Sequence, residues 1–232
     1  MALIKLGGGI VGISGSVAGN TYARNRYGNY MRARTKPVNP NTALQQAVRG
    51  ALAALTTSWG QTLTAVQRAA WNLYGSSVSM KNRLGESIFL TGFNHYLRSN
   101  IPLSQCGGVT VPAGPTTFEI PEADPTFSIA VSAATQDVTI TFDDTMAWCD
   151  EDEAHMLVYV GSPQNAQRNF FAGPWRFAGK ISGDSGAPPS STETVASSFV
   201  LTEAQKVWVY ARIVRADGRL SAPFRADVII SA

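Results

Sequence analysis

The chain has 232 residues, of which 44% are hydrophobic and 15% charged, and this composition is ordinary for a folded protein of one domain or two small ones. A membrane helix needs about 18 consecutive apolar residues, and the sequence contains no such run. Residues 1–19 contain too many glycines for a convincing signal peptide, so we expect a protein made and kept in the cytoplasm, with no membrane partner.

Charge is distributed unequally along the chain. Residues 1–85 contain ten cations, and the first acid is Glu86. The net charge of the whole chain is +3, so residues 86–232 carry nine cations against sixteen acids, a net charge of −7. This asymmetry indicates that the basic part meets something negative, either nucleic acid or an acidic protein surface.

The first region in chain order, residues 1–40, is predicted to form an extended basic arm. Its segment NTYARNRYGNYMRARTKPVNPNT offers two short strands, Thr21–Asn25 and Tyr30–Arg34, with a tight turn at Gly28–Asn29. An isolated hairpin is marginal in water, so we expect the arm to become ordered by pairing with another surface. The expected partner-binding residues are Tyr22, Arg24, Arg26, Tyr27, Tyr30, Arg32, Arg34 and Lys36.

Side chains alternate along a strand, which divides the arm residues between faces. The tyrosines and arginines would share one face of each strand: Tyr22 and Arg24, with Arg26 just beyond, and then Tyr30, Arg32 and Arg34. The residues left for the other face have little to bury: Ala23, Met31 and Ala33.

Composition alone leaves the partner of the basic arm open, because arginine binds carboxylates and phosphates alike. Nucleic acid and a merely solvated loop are both compatible with a run of charge. We favour an acidic protein neighbour, including the acidic part of another copy, since the chain itself supplies one and no recognised DNA-reading motif is present.

Residues 41–100 are predicted to form a three-helix region. The first helix begins after an N-cap at Asn41 or Thr42 and ends near Gly60. Its apolar residues recur at spacings of three and four and predict one buried stripe: Leu44, Val48, Leu52, Leu55 and Trp59.

The second helix is predicted to begin at Thr64, with Gln67 completing a capping box, and to end at Gly75, with Trp71 as its anchor. The third is predicted over Ser87–Ser99, and its buried side would contain Ile88, Phe89, Phe93, Tyr96 and Leu97. Three short helices with few aliphatic residues make a small core, so we expect the region to need a partner.

Residues 101–125 contain five prolines and three glycines and are predicted to be a linker. Residues 126–232 then contain short β-rich runs: TFSIAVSA, DVTITFDD, HMLVYVGS, WRFAGKIS, SSFVL, and the last stretch from residue 206 with a turn at Asp217–Gly218. The predicted fold class is α+β in several regions, ending in an antiparallel β-sandwich of the immunoglobulin or fibronectin type III kind.

Motifs for catalysis or cofactor binding are lacking. His95 and His155 lie in different regions, so no histidine cluster is expected, and each is predicted to be a surface or interface residue. Cys106 and Cys149 lie 43 positions apart and are predicted to be ordinary thiols. The run GGGIVG is not followed by the lysine of a phosphate-binding loop. We therefore predict no enzyme, no cofactor, no metal site and no catalytic residue.

Six acids in the β-rich region form a run that admits three interpretations. They are Asp143, Asp144, Asp150, Glu151, Asp152 and Glu153. The run lacks the ligand spacing and turn glycine of an EF-hand loop, which disfavours a calcium site. A solvated acidic loop is preferred, and a docking patch for the basic arm of a neighbour is the third interpretation.

Three blocks in order, GISGSVAGNTYARNRYGNYMRARTKPVNPNTALQQAVRGALAAL, LTAVQRAAWNLYG and LTGFNHYLRSN, cover about the first 100 residues. They resemble poorly characterised structural proteins encoded by tailed bacteriophages and prophages. The resemblance implies a virion component made in the host cytoplasm, present in many copies, with an arm that threads onto neighbouring subunits and a β-sandwich after a proline-rich linker. It supplies no catalytic residues.

The resemblance and the residues together predict a non-enzymatic virion protein that decorates or cements the capsid shell. Its expected partners are capsid, portal or tail subunits and copies of itself. A component of the head-to-tail connector or tail is the alternative within this class. A nucleic-acid-binding protein with an accessory sandwich is the alternative from another class.

Overall fold

The computed structural model describes residues 2–82 and 84–232, so Met1 and Arg83, one of the ten cations of the basic part, lie outside it. The protein is mixed α+β, with three α-helices and several antiparallel sheets. The helices are α1 (Ala43–Thr57), α2 (Ala65–Ser77) and α3 (Gly92–Gln105). The strands are β1 (Ala2–Leu3), β2 (Gly15–Val17), β3 (Asn20–Asn25), β4 (Gly28–Ala33), β5 (Ser79–Lys81), β6 (Ser87–Phe89), β7 (Ser128–Val131), β8 (Asp137–Thr141), β9 (His155–Gly161), β10 (Gln164–Asn165), β11 (Trp175–Ser182), β12 (Glu193–Ala196), β13 (Gln205–Val214) and β14 (Phe224–Ile229).

The basic arm folds as a four-stranded antiparallel sheet in the order β1-β4-β3-β2. The predicted hairpin is present as β3 and β4, but its turn is displaced. Asn25 pairs with Gly28, so the turn residues are Arg26 and Tyr27 rather than Gly28 and Asn29. The side-chain Oδ1 of Asn25 accepts a hydrogen bond from the Tyr27 amide at 2.9 Å, and this local bond favours the earlier turn.

The starts of the first two helices are as predicted. Thr42 caps α1, and Thr64 caps α2 in a capping box with Gln67. Trp71 of α2 is fully buried, as expected of its anchor, although α2 continues two residues beyond Gly75. Between α1 and α2 the chain makes a π-helical turn over residues 58–62.

The predicted burial of the α1 stripe is wrong for most of its length. Leu55 is buried, whereas Leu44, Val48 and Leu52 are 71%, 43% and 41% exposed. The reason is that α1 packs on α3 near its C-terminal end, through the cluster that contains Leu55, whereas most residues of its first turns are exposed in the described structure.

The third helix begins later than predicted. Residues 87–89 form β6, which pairs with β5, and Phe89 is 50% exposed. Thr91 caps α3, its hydroxyl accepting from the Asn94 amide at 3.2 Å, and the helix ends at Gln105 rather than Ser99. The apolar residues from Ile88 onward therefore belong to two elements, β6 and α3, although their spacing resembles that of a single helix.

The β-rich part contains two antiparallel sheets. One has the order β10-β13-β9-β11, with β14 also pairing with β13, and the other has the order β12-β8-β7. Buried side chains from both sheets form one hydrophobic cluster that includes Val138, Ile140, Val158, Val209 and Ile213. All the predicted strand runs contain a strand except SSFVL, which is irregular, while β12 immediately precedes it.

The predicted turn at Asp217–Gly218 is confirmed. Gly218 has φ of +86°, and the Arg215 amide donates to the Arg219 carbonyl at 2.9 Å across the turn. A side chain at Gly218 would also approach the Trp71 ring, at 3.2 Å from its Cβ position. This turn therefore joins the β-rich part to α2.

Residues 106–125 have no helix or strand, and they pack on the helices along much of their length. The Trp71 Nε1 donates to the Pro112 carbonyl at 3.0 Å, and the Tyr74 hydroxyl donates to the Glu119 carbonyl at 3.3 Å. Asn100 of α3 accepts from the Val111 amide at 2.6 Å. The preceding residues 101–105 belong to α3, which corrects the predicted start of the linker.

A second set of contacts joins α3 to the larger sheet. Leu103 packs with Leu157, Tyr159, Val214 and Leu220 in one buried cluster. The helices and the β-rich part therefore pack against each other through apolar side chains. None of the helices in the described part of the chain is long and apolar enough to cross a membrane.

Candidate interaction site on the basic arm

The strand register distributes the cations over both faces of the arm sheet. Tyr22 lies opposite Met31, so Tyr22 and Arg24 share a face with Met31. Tyr30 lies opposite Ala23, so Tyr30 and Arg32 occupy the other face. The expectation that Ala23, Met31 and Ala33 form one weak face is therefore wrong, because positions directly opposite in an antiparallel pair point to the same side.

All five cations of the segment are exposed: Arg24, Arg26, Arg32, Arg34 and Lys36. None of the salt bridges found among residues 2–82 and 84–232 involves any of them. Arg34 follows β4, where its amide donates to the Gly19 carbonyl at 2.8 Å. The two strands, their turn and the residues that follow β4 thus carry five charges without a carboxylate partner in the described part of the chain.

The arm sheet has no core of its own. Every described residue from 2 to 40 is exposed or half-buried, including the three tyrosines Tyr22, Tyr27 and Tyr30. A sheet that has no fully buried residue buries little apolar area, and such a sheet gains stability when a partner covers it. The arrangement suits a surface that supplies both negative charge and contact area.

Among the described residues, three polar contacts attach the arm to the rest of the molecule, and one of them runs from the Arg49 guanidinium of α1 to the Asn39 side chain at 2.8 Å. The Tyr27 hydroxyl accepts a hydrogen bond from the Asn94 side chain of α3 at 2.9 Å. Lys5 forms a salt bridge with Glu86, and the hydrogen bond from Lys5 is the main cause of a lowered pKa of Glu86. Tyr27 is a candidate partner-binding residue, and its hydrogen bond to Asn94 also positions the arm on α3. The sequence did not indicate this second role.

The six acidic residues are mostly engaged in local contacts. Asp143 accepts from the Thr145 hydroxyl and amide, and these bonds lower the pKa of its carboxyl. Asp152 accepts from the amide and hydroxyl of Ser185, which lower its pKa, and Glu151 pairs with Arg215.

The other three acids contribute less to local structure. Asp144 accepts from the Ser191 amide at 3.2 Å, while Asp150 and Glu153 are exposed. No group of three or more His, Cys, Asp and Glu side chains within residues 2–82 and 84–232 could hold a metal ion. Residues 143–153 therefore have fewer carboxylates available to bind a basic arm than the sequence indicated.

The predicted exposure of the two histidines is wrong, since His95 is fully buried and His155 is 4% exposed. His95 lies on α3 with its ring edge-on to Tyr74, at 5.0 Å between centroids, and neither ring nitrogen has a hydrogen-bond partner within the described structure. Burial, with a smaller effect of the Arg98 charge, lowers the pKa of His95 to about 4. The Lys180 ammonium lies 3.5 Å from the His155 ring.

Both cysteines are free thiols, as predicted. Cys149 is buried, and burial together with nearby acidic residues raises the pKa of its thiol to about 12. A thiol with so high a pKa is a poor nucleophile at neutral pH.

Sequence reasoning did not single out a pair of arginines between α3 and the larger sheet. Arg98 donates to the carbonyls of Leu220 and Ser221 at 2.6 and 2.9 Å, and Arg212 donates to the same Ser221 carbonyl. Burial, and then repulsion by Arg212, lowers the pKa of Arg98 to about 10. No motif marks these residues, because the chain separation between them exceeds 100 positions.

Neither the known protein-family models nor the curated proteins include a match to this chain.

Proposed function

We propose that this protein is a non-enzymatic structural subunit of a tailed-phage virion, which decorates or cements the capsid shell by gripping neighbouring subunits through its basic arm. The observation that carries this proposal is the coreless sheet of the arm, with five exposed cations and no acid partner in the described structure. In an assembly, the ordering entropy of such a segment is offset when the neighbour covers it. The resemblance of the first 100 residues to phage structural proteins supplies the context.

We further propose that the two C-terminal sheets form a β-sandwich of the immunoglobulin or fibronectin type III kind. Their shared hydrophobic cluster and their antiparallel pairing support this assignment. Such a module would face outward while the arm contacts the shell.

Two alternatives have support from the same residues. A connector or tail subunit would use the arm in the same way at another place in the particle. A nucleic-acid-binding role is favoured by the exposed arginines, since guanidinium groups on both sheet faces could bind phosphates. The absence of acids from residues 1–85 is compatible with binding to an acidic protein surface and with binding to nucleic acid.

We expect a triple variant, Arg24→Gln, Arg26→Gln and Arg32→Gln, to reduce incorporation of the protein into particles at least tenfold, because it removes three of the five exposed cations between residues 24 and 36. The amount of tagged protein per purified particle measures this. A matched control removes three exposed arginines from the acidic part, Arg168, Arg176 and Arg225, and should leave incorporation unchanged. Normal incorporation of the arm variant would contradict the role of the arm.

The nucleic-acid alternative has its own test. If the arm binds DNA, the affinity of the purified protein for duplex should fall with salt, with a log–log slope of about 3 to 5 units that the triple variant reduces. No measurable binding at about 50 mM salt would eliminate this alternative. Failure of the protein to co-purify with any particle would eliminate the virion proposal itself.

A further inference from the structure

Cys106 lies where α3 meets the larger sheet. It follows the last residue of α3, and Gly107, with φ of +70°, turns the chain away from the helix. The Gly108 amide donates to the Leu103 carbonyl at 2.9 Å, which is the bond of a Schellman helix end. The Cys106 side chain is half-buried, so a small solute can reach its thiol.

A histidine faces the same place as this thiol. A Cβ atom at Gly108 would lie 3.4 Å from the Cys106 Sγ and 3.4 Å from the His155 Nε2. The two atoms are therefore at most twice that distance apart, within reach of a direct or water-mediated proton transfer. His155 is 4% exposed, and its Nδ1 has no hydrogen-bond partner within the described structure. A buried imidazole without a structural partner is a candidate functional group.

Lys180 adds a positive charge beside this histidine. Its ammonium lies 3.5 Å from the His155 Nε2, and none of the salt bridges found among residues 2–82 and 84–232 involves it. Lys180 is exposed, so the site meets solvent on this side. Burial and then the Lys180 charge lower the pKa of His155, so its ring is neutral at neutral pH and can accept a proton.

Two further titratable groups lie near the site. Tyr159 belongs to the cluster on which Cys106 packs, and burial raises its pKa, so it stays protonated. Glu153 raises the pKa of His155 and so opposes part of the effect of Lys180. The Cys106 Sγ donates to the Leu103 carbonyl at 3.2 Å, so the thiol is protonated at rest. The carbonyl end of a helix disfavours a thiolate, and the formation of one here depends on the nearby cation.

We infer that Cys106 is a reactive thiol that forms mixed disulfides with low-molecular-weight disulfides, with His155 as the proton acceptor and Lys180 as the stabilising charge. The S–H bond breaks and its proton passes to the His155 Nε2. The thiolate attacks one sulfur of the disulfide and forms a new S–S bond. The other sulfur leaves with the bonding electron pair and takes the proton from the imidazole. Cys106 is oxidised, and the departing thiol is the reduced half of the disulfide.

The first test is the reaction of the native full chain with dithiodipyridine, an uncharged disulfide whose released thiopyridone is followed by its absorbance. One thiol per chain should react in the native protein, and both cysteines should react after denaturation. Cys106→Ser should abolish the native reaction. Cys149→Ala should leave it unchanged, because the Cys149 thiol is buried and its pKa is raised to about 12.

The second test separates the charge from the base. Lys180→Gln should slow the native reaction about fivefold or more at neutral pH, and Lys180→Arg should keep most of the wild-type rate. His155→Phe should slow the reaction as well. The matched control is Arg176→Gln, which removes an exposed cation from the same strand and should leave the rate unchanged. Because Lys180 is exposed, its variants give a result even if His155→Phe fails to fold.

Three results would overturn the inference. The first is a native chain in which no thiol reacts, or in which the reaction survives Cys106→Ser. The second is a native rate that Lys180→Gln leaves unchanged. The third is a Lys180→Arg variant as slow as Lys180→Gln, because the charge would then have no part in the reaction. None of these outcomes bears on the arm, which the incorporation assay tests separately.

Discussion

Replacement of Trp71 by alanine is expected to lower the free energy of unfolding by about 4 kcal/mol, a typical cost for loss of a large buried aromatic side chain. Trp71 is fully buried and lies edge-on to Tyr74 and Tyr96, with ring centroids 6.0 and 5.7 Å away. Its Nε1 donates to the Pro112 carbonyl, and Gly218 of the β-rich part lies beside its ring. One side chain thus joins α2, the segment of residues 106–125 and a turn between strands.

Urea unfolding of wild type and Trp71→Ala, followed by circular dichroism, measures the change. Leu73→Ala is the matched control, because Leu73 lies on the same helix but is 55% exposed, and it should cost less than about 1 kcal/mol. If the Trp71→Ala variant loses its helical signal in a separate early transition while the β signal stays unchanged, the helices and the β-rich part do not share a core.

The protein is expected to lose about 2 kcal/mol of stability between pH 7.5 and pH 5 through His95. Its folded-state pKa is about 4, below the ordinary value of 6.5. In this window the unfolded chain takes up a proton that the folded chain does not, so stability falls as the pH falls from about 6.5 toward 4. Asp143 and Asp152 also have lowered pKa values. The stability that they contribute is lost only as the pH falls below their ordinary pKa of 3.8.

The measurement is the difference in unfolding free energy between pH 7.5 and pH 5 for wild type and His95→Phe. Phenylalanine keeps an aromatic ring beside Tyr74 and does not titrate, so most of the difference should disappear. The pKa of His155 is also lowered, by burial and then by Lys180, so His155→Phe should remove a separate and smaller part of the same difference. A pH dependence in His95→Phe equal to that of wild type would show that His95 is not its source.

Local sequence signals predicted the elements that depend on near neighbours. Thr42 and Thr64 cap their helices because each bonds a backbone amide three residues away, and Asp217–Gly218 makes its turn because glycine accepts a positive φ. The arm hairpin was predicted from the same kind of signal. Its turn was misplaced because Gly28 and Asn29 offered a stronger local pattern than the Asn25 bond that the protein uses.

Periodicity failed where the outcome depends on distant contacts. The row from Leu44 to Trp59 has the spacing of a buried stripe, yet only its end reaches α3. Periodicity identifies an apolar face and does not identify what covers it. The burial of His95 was missed for the same reason, since Tyr74 lies 21 positions away on another helix.

The lack of acids in residues 1–85, the cations of the basic arm, the helix caps and the β-rich character after residue 126 follow directly from the sequence, because charge and local hydrogen bonding are properties of neighbouring residues. Which apolar residues are covered depends on the tertiary fold. It placed both histidines inside, packed residues 106–125 onto Trp71, left most of the first turns of α1 exposed, and left the arm sheet without a fully buried residue among those described. Burial is a property of contacts between segments far apart in the chain, and these contacts are not encoded in the spacing of any one segment.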